Sequence, residues 1–114
     1  MEKITIPEEE VERIFNILSK TTPKTGYYLN PDKEFTKGLI KSLLVNGKRY
    51  GYWACPCRLA SGNAKKDADI VCPCPYRVPD VKEFGCCYCA LYVSKDVADG
   101  KKQAKSIPER RKFN

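Results

Sequence analysis

The chain has 114 residues and a mass of 13.0 kDa, enough for one compact domain. Hydrophobic residues make up 42% and charged residues 31%, a globular composition without a stretch apolar enough to span a membrane. The net charge of +7 is concentrated in residues 101–114, which carry six basic side chains and one acidic side chain, so we expect no nucleic-acid-binding face on the nearly neutral body.

Two amphipathic helices are predicted in the N-terminal half. The first spans residues 7–20, with Pro7 at its first position, acidic residues in its first turn and apolar residues at helical spacing. The second runs from about 31 to 45, with Asn30 as its N-cap and an apolar stripe along one face. Asn46-Gly47 supplies residues that tolerate a left-handed backbone, so we expect the helix to stop there.

The C-terminal half has weaker periodicity. Tyrosines in the run 48–53 favour an extended segment, and residues 62–70 favour a short polar helix. We expect a loop around Pro79. Residues 86–93 are apolar and fit either a short strand or a buried helical turn.

Seven cysteines within 35 residues are the most unusual feature of the sequence. Six of them form three Cys-x-Cys dyads, and the seventh is left over. The dyads are Cys55/Cys57, Cys72/Cys74 and Cys87/Cys89, and the extra residue is Cys86. The odd number and an N-terminus without an apolar signal core indicate a reducing cytoplasm, where clustered cysteines are metal ligands or redox thiols.

The dyad spacing bears on the kind of metal. Structural zinc usually takes cysteine pairs two to four residues apart, so one intervening residue makes zinc possible but not favoured. An iron-sulfur cluster is larger and takes four thiolates from separate directions, which suits dyads that each supply one or two ligands. Two thiols would then remain near the metal, where they could alternate between dithiol and disulfide.

The order of the dyads resembles a known family. The sequence reads Cys55-Pro-Cys57-Arg58, then Cys72-Pro-Cys74, then Cys87-Tyr88-Cys89 followed by Ala-Leu-Tyr-Val. This is similar to the catalytic subunit of ferredoxin-thioredoxin reductase, whose pattern is Cys-Pro-Cys, Cys-Pro-Cys and Cys-His-Cys before an apolar stretch. The resemblance covers roughly residues 27–98.

The resemblance implies a small, mainly α-helical domain with minor β structure, folded around a [4Fe-4S] cluster. We expect that domain over residues 1–98, with its motif region at 50–93, and a basic tail over 99–114. The implied ligands are Cys55, Cys72, Cys74 and Cys87. The implied redox disulfide joins Cys57, the nucleophile, to Cys89, the thiol that interacts with the cluster.

The family's reaction is ferredoxin-dependent reduction of a protein disulfide in two one-electron steps. Reduced ferredoxin opens the disulfide, and the sulfur matching Cys89 is held at the cluster while Cys57 attacks the target. A second electron resolves the mixed disulfide. The implied partners are ferredoxin, thioredoxin or a thioredoxin-like target, and a variable subunit; Lys65, Lys66 or the basic tail would attract an acidic ferredoxin, or be merely solvated. Arg58 is expected to stabilise the Cys57 thiolate.

Two residues depart from the family pattern. Tyr88 stands where the family has histidine, so it either assists the chemistry through its hydroxyl or only packs beside the cluster. Cys86 has no counterpart; it is either a spare buried thiol or a ligand in place of Cys87. Trp53, two residues before the first dyad, either shields the cluster or belongs to the core.

Two other functions are compatible with the cysteines. One is a zinc-binding structural or interaction module that uses four of them. The other is a simple iron-sulfur electron-transfer protein, in which the two spare thiols have no redox role. Metal identity separates the first from the reductase, and pairing of the spare thiols separates the second.

Overall fold

A computed structural model of the protein describes residues 4–58 and 60–108. Most of the regular structure in the described residues is helical, and two short strands form one antiparallel sheet. In chain order the elements are α1 (Glu8–Thr21), a 3₁₀ helix (Thr22–Thr25), β1 (Tyr28–Leu29), α2 (Lys33–Tyr50), a second 3₁₀ helix (Ala68–Ile70), α3 (Arg77–Phe84), β2 (Tyr92–Val93) and α4 (Lys95–Ala98). The expected small, mainly helical domain with minor β structure is confirmed.

Helix α1 lies close to its predicted position. Pro7 is the N-cap rather than the first helical residue, and three glutamates fill the first turn, where the helix dipole favours negative charge. Val11 is buried between α1 and α2, and an ion pair joins Glu12 to Lys37 across the two helices, with Oε1 and Nζ 2.6 Å apart. The two helices therefore form one packed layer.

The start of α2 differs from the prediction. Asp32, not Asn30, is the N-cap, and its carboxylate accepts a hydrogen bond from the Phe35 amide at 3.1 Å. The Asn30 side chain instead donates to the Ala90 carbonyl at 3.0 Å, and the Asn30 amide donates to the Leu91 carbonyl at 2.9 Å. Asn30 thus ties the entrance of α2 to the loop of the third dyad.

The predicted stop of α2 at Asn46-Gly47 and the extended run at 48–53 are wrong. The helix continues to Tyr50 and ends at Gly51, which has a φ of 85°. Gly47 serves close packing, because a Cβ there would lie 2.9 Å from Cδ1 of the Trp53 ring. Asn46 donates from its side-chain amide to the Ala54 carbonyl at 2.8 Å. Both residues hold the chain as it turns back past the helix.

The remaining predicted elements were right only in part. The polar helix expected at 62–70 is reduced to the 3₁₀ helix Ala68–Ile70. The loop expected at Pro79 is wrong, because this proline lies in the first turn of α3, where backbone amides have no intrahelical acceptor to lose. Of the two alternatives for residues 86–93, the structure has a tight turn that leads into strand β2.

The core joins the buried face of α2 to the cysteine loops. Its fully or nearly fully buried apolar side chains are Ile40, Leu43, Ile70, Leu91 and Val93. Cys55, Cys87 and Cys89 pack in the same cluster with less than a tenth of their surface exposed. Three of the predicted functional residues are therefore part of the core.

Candidate functional site

Short backbone pairings bring the first two dyads side by side. Ala54 and Val71 form an isolated antiparallel bridge. On one side of it the Cys55 amide donates to the Ile70 carbonyl at 2.8 Å, and on the other the Cys72 amide donates to the Trp53 carbonyl at 2.7 Å. Cys55 and Cys72 are thus held next to each other by the backbone.

The second dyad leads directly into α3. The Cys74 carbonyl accepts a hydrogen bond at 3.1 Å from the amide of Arg77, the first residue of that helix. The peptide bond between Cys72 and Pro73 is cis. Both cysteines of this dyad are half-buried.

A tight turn shapes the third dyad. The Cys87 carbonyl accepts from the Ala90 amide at 2.8 Å, and the Cys87 amide donates to the Tyr92 carbonyl, also at 2.8 Å. Ala90 has a φ of 63°, a left-handed backbone conformation that is uncommon for alanine. The turn aims Cys87 and Cys89 in the same direction, with their sulfurs 3.8 Å apart.

The three dyads enclose a small cavity. All four predicted cluster ligands line it, together with Cys89. The complete lining is Cys55, Arg58, Cys72, Cys74, Arg77, Cys87, Tyr88, Cys89 and Tyr92. Of the seven cysteines, which all lie in the described part of the chain, Cys57 and Cys86 are outside this lining.

Cys57 lies at the edge of the site and is exposed to solvent, whereas Cys55 and Cys89 are buried. The side chains of these three residues hydrogen-bond to one another. All seven cysteines are free thiols in this structure. An exposed thiol in contact with a buried one is an arrangement from which a disulfide can form and open.

The hydrogen bonds between these thiols place the negative charge on Cys55. Hydrogen bonds from Cys57 and Cys89 lower the pKa of Cys55 to about 3, and the same contact with Cys55 raises the pKa of Cys57 to about 11. Burial raises the pKa of Cys72 to about 12. Among these residues, the thiolate form is therefore favoured at Cys55 and disfavoured at Cys57 and Cys72.

Arg58 reaches the second dyad. Its guanidinium Nη1 is 3.6 Å from the Cys74 sulfur. The guanidinium lies between two aromatic rings, 4.4 Å from the centroid of Tyr88 and 4.8 Å from that of Tyr76. Tyr88 is thus a packing partner of Arg58.

Cys86 is buried beside the site. It forms an isolated bridge with Val93, and burial raises its pKa to about 11. Cys87, its neighbour, lines the cavity and accepts a hydrogen bond at sulfur from the Tyr92 amide at 3.2 Å. This geometry favours Cys87 over Cys86 as the ligand.

The chemistry of the lining fits an iron-sulfur cluster. Cysteine thiolates are the usual ligands of such clusters, and four cysteines from three separate loops face one cavity. Hydrogen-bond donors reach these sulfurs, among them the Tyr92 amide at Cys87 and the Arg58 guanidinium at Cys74. Over residues 4–58 and 60–108, no group of three or more His, Cys, Asp or Glu residues is arranged to hold a single metal ion.

Sequence reasoning missed three residues of the site. Arg77 and Tyr92 line the cavity, and Asn30 holds the third dyad from the other half of the chain. The position of Arg77, three residues after the second dyad, could have indicated that it belongs to the site. No sequence signal predicts the contact between Asn30 and Ala90, because sixty residues separate them.

Other sequence-predicted residues lie on the surface or in the core. Trp53 is half-buried and packs against the core cluster. Lys65 and Lys66 are exposed. The end of the basic tail, residues 109–114, lies outside the described residues. No helix in the described part of the chain is both long and apolar enough to cross a membrane.

Comparison with known proteins gives one positive result. A search of curated proteins found no match. The family model described as "ferredoxin thioredoxin reductase catalytic beta chain" matches residues 5–112. This match covers nearly the whole chain and agrees with the order of the three dyads. The chain therefore belongs to the ferredoxin thioredoxin reductase catalytic beta chain family.

Proposed function

We propose that the protein is a ferredoxin-dependent disulfide reductase that binds a [4Fe-4S] cluster and reduces thioredoxin or a thioredoxin-like protein in a reducing cytoplasm. Family membership supports an oxidoreductase that acts on disulfides. The observation that carries the proposal is the shared cavity: the four predicted ligands line it, and the exposed Cys57 is hydrogen-bonded to Cys89 in its wall.

In the proposed site the cluster is held by Cys55, Cys72, Cys74 and Cys87. When bound, such a cluster supplies single electrons at low potential and interacts with a neighbouring sulfur. Cys55 suits the role of ligand because hydrogen bonds from the neighbouring Cys57 and Cys89 thiols lower its pKa, and metal binding requires thiolates. The hydrogen bond from the Tyr92 amide fixes the orientation of Cys87.

The reduction itself uses two thiols of this chain. Cys57, exposed at the edge of the site, attacks one sulfur of the target disulfide, and the other target sulfur leaves as a thiolate. Cys89 then forms a disulfide with Cys57 again as the second ferredoxin electron arrives, which releases the target as a dithiol. Over the cycle the target gains two electrons and two protons, and ferredoxin supplies both electrons, one to open the Cys57–Cys89 disulfide and one at the release step.

Tyr88, which stands where the family has histidine, fits a packing role. Its ring stacks on the Arg58 guanidinium, which keeps both side chains at the wall of the cavity. We propose that solvent near Cys57 handles the protons, since that thiol is exposed.

The surface roles rest on charge. We propose a catalytic domain over residues 1–98, followed by a basic tail over 99–114. We propose that Lys65 and Lys66 of the domain, together with the tail, attract an acidic ferredoxin. We also propose that a variable subunit completes the enzyme.

Substitution of Cys57 tests the proposal against a matched control. Cys57→Ser removes the nucleophile but no ligand, so reduction of a thioredoxin disulfide by reduced ferredoxin should fall roughly a thousandfold while iron content stays unchanged. Cys86→Ser changes another free thiol of the same region and should keep the activity. Equal activity of the two variants would overturn the assignment of Cys57.

A further inference from the structure

Arg58 is a buried cation within reach of a predicted ligand. Only 7% of its surface is exposed, and Nη1 lies 3.6 Å from the Cys74 sulfur. The guanidinium also packs on the rings of Tyr76 and Tyr88, 4.8 and 4.4 Å from their centroids. A guanidinium that donates a hydrogen bond to a sulfur favours negative charge on that sulfur.

The predicted occupant of the cavity supplies such a group. A cluster with thiolate ligands is negatively charged, and adding one electron increases that negative charge. A fixed cation that donates a hydrogen bond to a ligand sulfur stabilises the more negative state better than the less negative one. The effect is large where water is largely excluded, as it is around Arg58.

We propose that Arg58 is a positioning residue that raises the reduction potential of the bound cluster through its hydrogen bond to Cys74, an inference that rests on the proposed function. In this step one electron enters from the external donor. No covalent bond forms or breaks, and Arg58 keeps its proton. Its side chain sets how readily the site accepts the electron.

Arg77 offers a matched control. Its guanidinium lines the same cavity and also lies between two tyrosine rings, 4.0 Å from the centroid of Tyr27 and 4.8 Å from that of Tyr92. The backbone amide of Arg77 hydrogen-bonds the Cys74 side chain, but the hydrogen bonds of the described residues include none from its guanidinium to a thiol, and its buried Nε has no hydrogen-bond partner. Substitution of Arg77 therefore removes a nearby cation without removing a hydrogen bond from a guanidinium to a sulfur.

The test measures the one-electron midpoint potential of the cluster by anaerobic titration. All variants carry Cys57→Ser, so that the disulfide couple does not contribute. Arg58→Gln and Arg58→Met should each shift the potential to a more negative value, and by more than Arg77→Gln does. Arg58→Met keeps an apolar side chain beside the two rings. This variant provides the measurement of the potential if Arg58→Gln loses iron.

The outcomes separate this inference from the proposed function. Absence of a cluster in the parent protein would defeat both. A parent with a full cluster and unchanged potentials in the Arg58 variants would overturn only the role of Arg58. A shift no larger than that of Arg77→Gln, or loss of iron from both Arg58 variants, would likewise overturn it in favour of a general charge effect or a structural role.

Discussion

Asp67 organises the loop between the first and second dyads. Its side chain is fully buried and accepts hydrogen bonds from the Ser61 amide and hydroxyl, the Gly62 amide and the Tyr52 hydroxyl. Burial acts to raise the pKa of this carboxyl, but the hydrogen bonds from Tyr52 and Ser61 outweigh it and hold the pKa below its usual value. Asp67 is therefore charged in the folded protein and fixes the backbone that follows Cys57.

The contact between Tyr52 and Asp67 predicts a dependence of stability on alkaline pH. The hydrogen bond to Asp67 raises the pKa of Tyr52 to about 12, so folding favours the protonated hydroxyl. This contribution is fully present below the usual tyrosine pKa of about 10 and is lost as the pH rises from there to about 12.

Urea unfolding of the iron-loaded protein at several alkaline pH values measures this effect. Tyr52→Phe should flatten the decline in the free energy of unfolding over that range. Tyr50→Phe, which alters the ring stacked on Tyr52 at 5.9 Å, should leave the decline in place. A Tyr52→Phe variant with the same pH profile as the parent would contradict the assigned role of the hydroxyl.

At the scale of elements, α2 shows why local signals mislead. Asn46-Gly47 has the composition of a helix stop, yet the structure uses Gly47 to admit the Trp53 ring and Gly51 to end the helix. Tertiary packing decides between two glycines that a sequence alone does not distinguish. The existence of α1 and α2 was predictable from their apolar periodicity, because each helix is long enough to contain several repeats of the pattern.

The two interior glycines of α2 predict opposite effects of the same substitution. A Cβ added at Gly38 would meet no atom within 4 Å, whereas a Cβ at Gly47 would lie 2.9 Å from the Trp53 ring. Gly38→Ala should stabilise the protein by about 0.5 to 1 kcal/mol through helix propensity. Gly47→Ala should destabilise it by about 1 kcal/mol, because displacement of Trp53 outweighs that gain.

Thermal unfolding of the two iron-loaded variants beside the parent measures the difference. The melting temperature should rise for Gly38→Ala and fall for Gly47→Ala. A rise for both would mean that Trp53 moves aside without cost.

At the scale of the whole molecule, the dyads themselves form much of the core. Within the described residues, regular structure between Gly51 and Val93 is confined to one 3₁₀ helix, α3 and β2. Cys55, Cys87 and Cys89 are buried in the same cluster as the apolar side chains of the core. We therefore expect this region to depend on the bound group for its stability, since metal binding contributes directly to folding when the ligands come from short loops.

Removal of the cluster should consequently unfold residues 50–93 more than the paired helices α1 and α2. Hydrogen exchange followed by mass spectrometry on the apo and iron-loaded protein measures this difference. Amides of the described part of 50–93 should exchange rapidly in the apo protein. Equal protection in both forms would show that apolar packing alone holds the region.

The candidate ligands were predictable because their chemistry depends on residue type and spacing, which the sequence shows directly. The surrounding groups were not, because they come from distant segments: Asn30 reaches the third dyad, and Arg58 contacts Cys74 of the second dyad. The position of a residue in the sequence does not determine which residue its long side chain contacts. The candidate ligands of such a site are therefore easier to infer than the residues that surround them.

The central claim is that one chain holds both a [4Fe-4S] cluster and a redox disulfide. Anaerobic purification followed by assays of iron, acid-labile sulfide, zinc and free thiols before and after reduction tests it most directly. We predict about four irons and about four sulfides per chain, with about two further thiols appearing on reduction. Zinc without sulfide, or a thiol count that reduction does not change, would contradict the account.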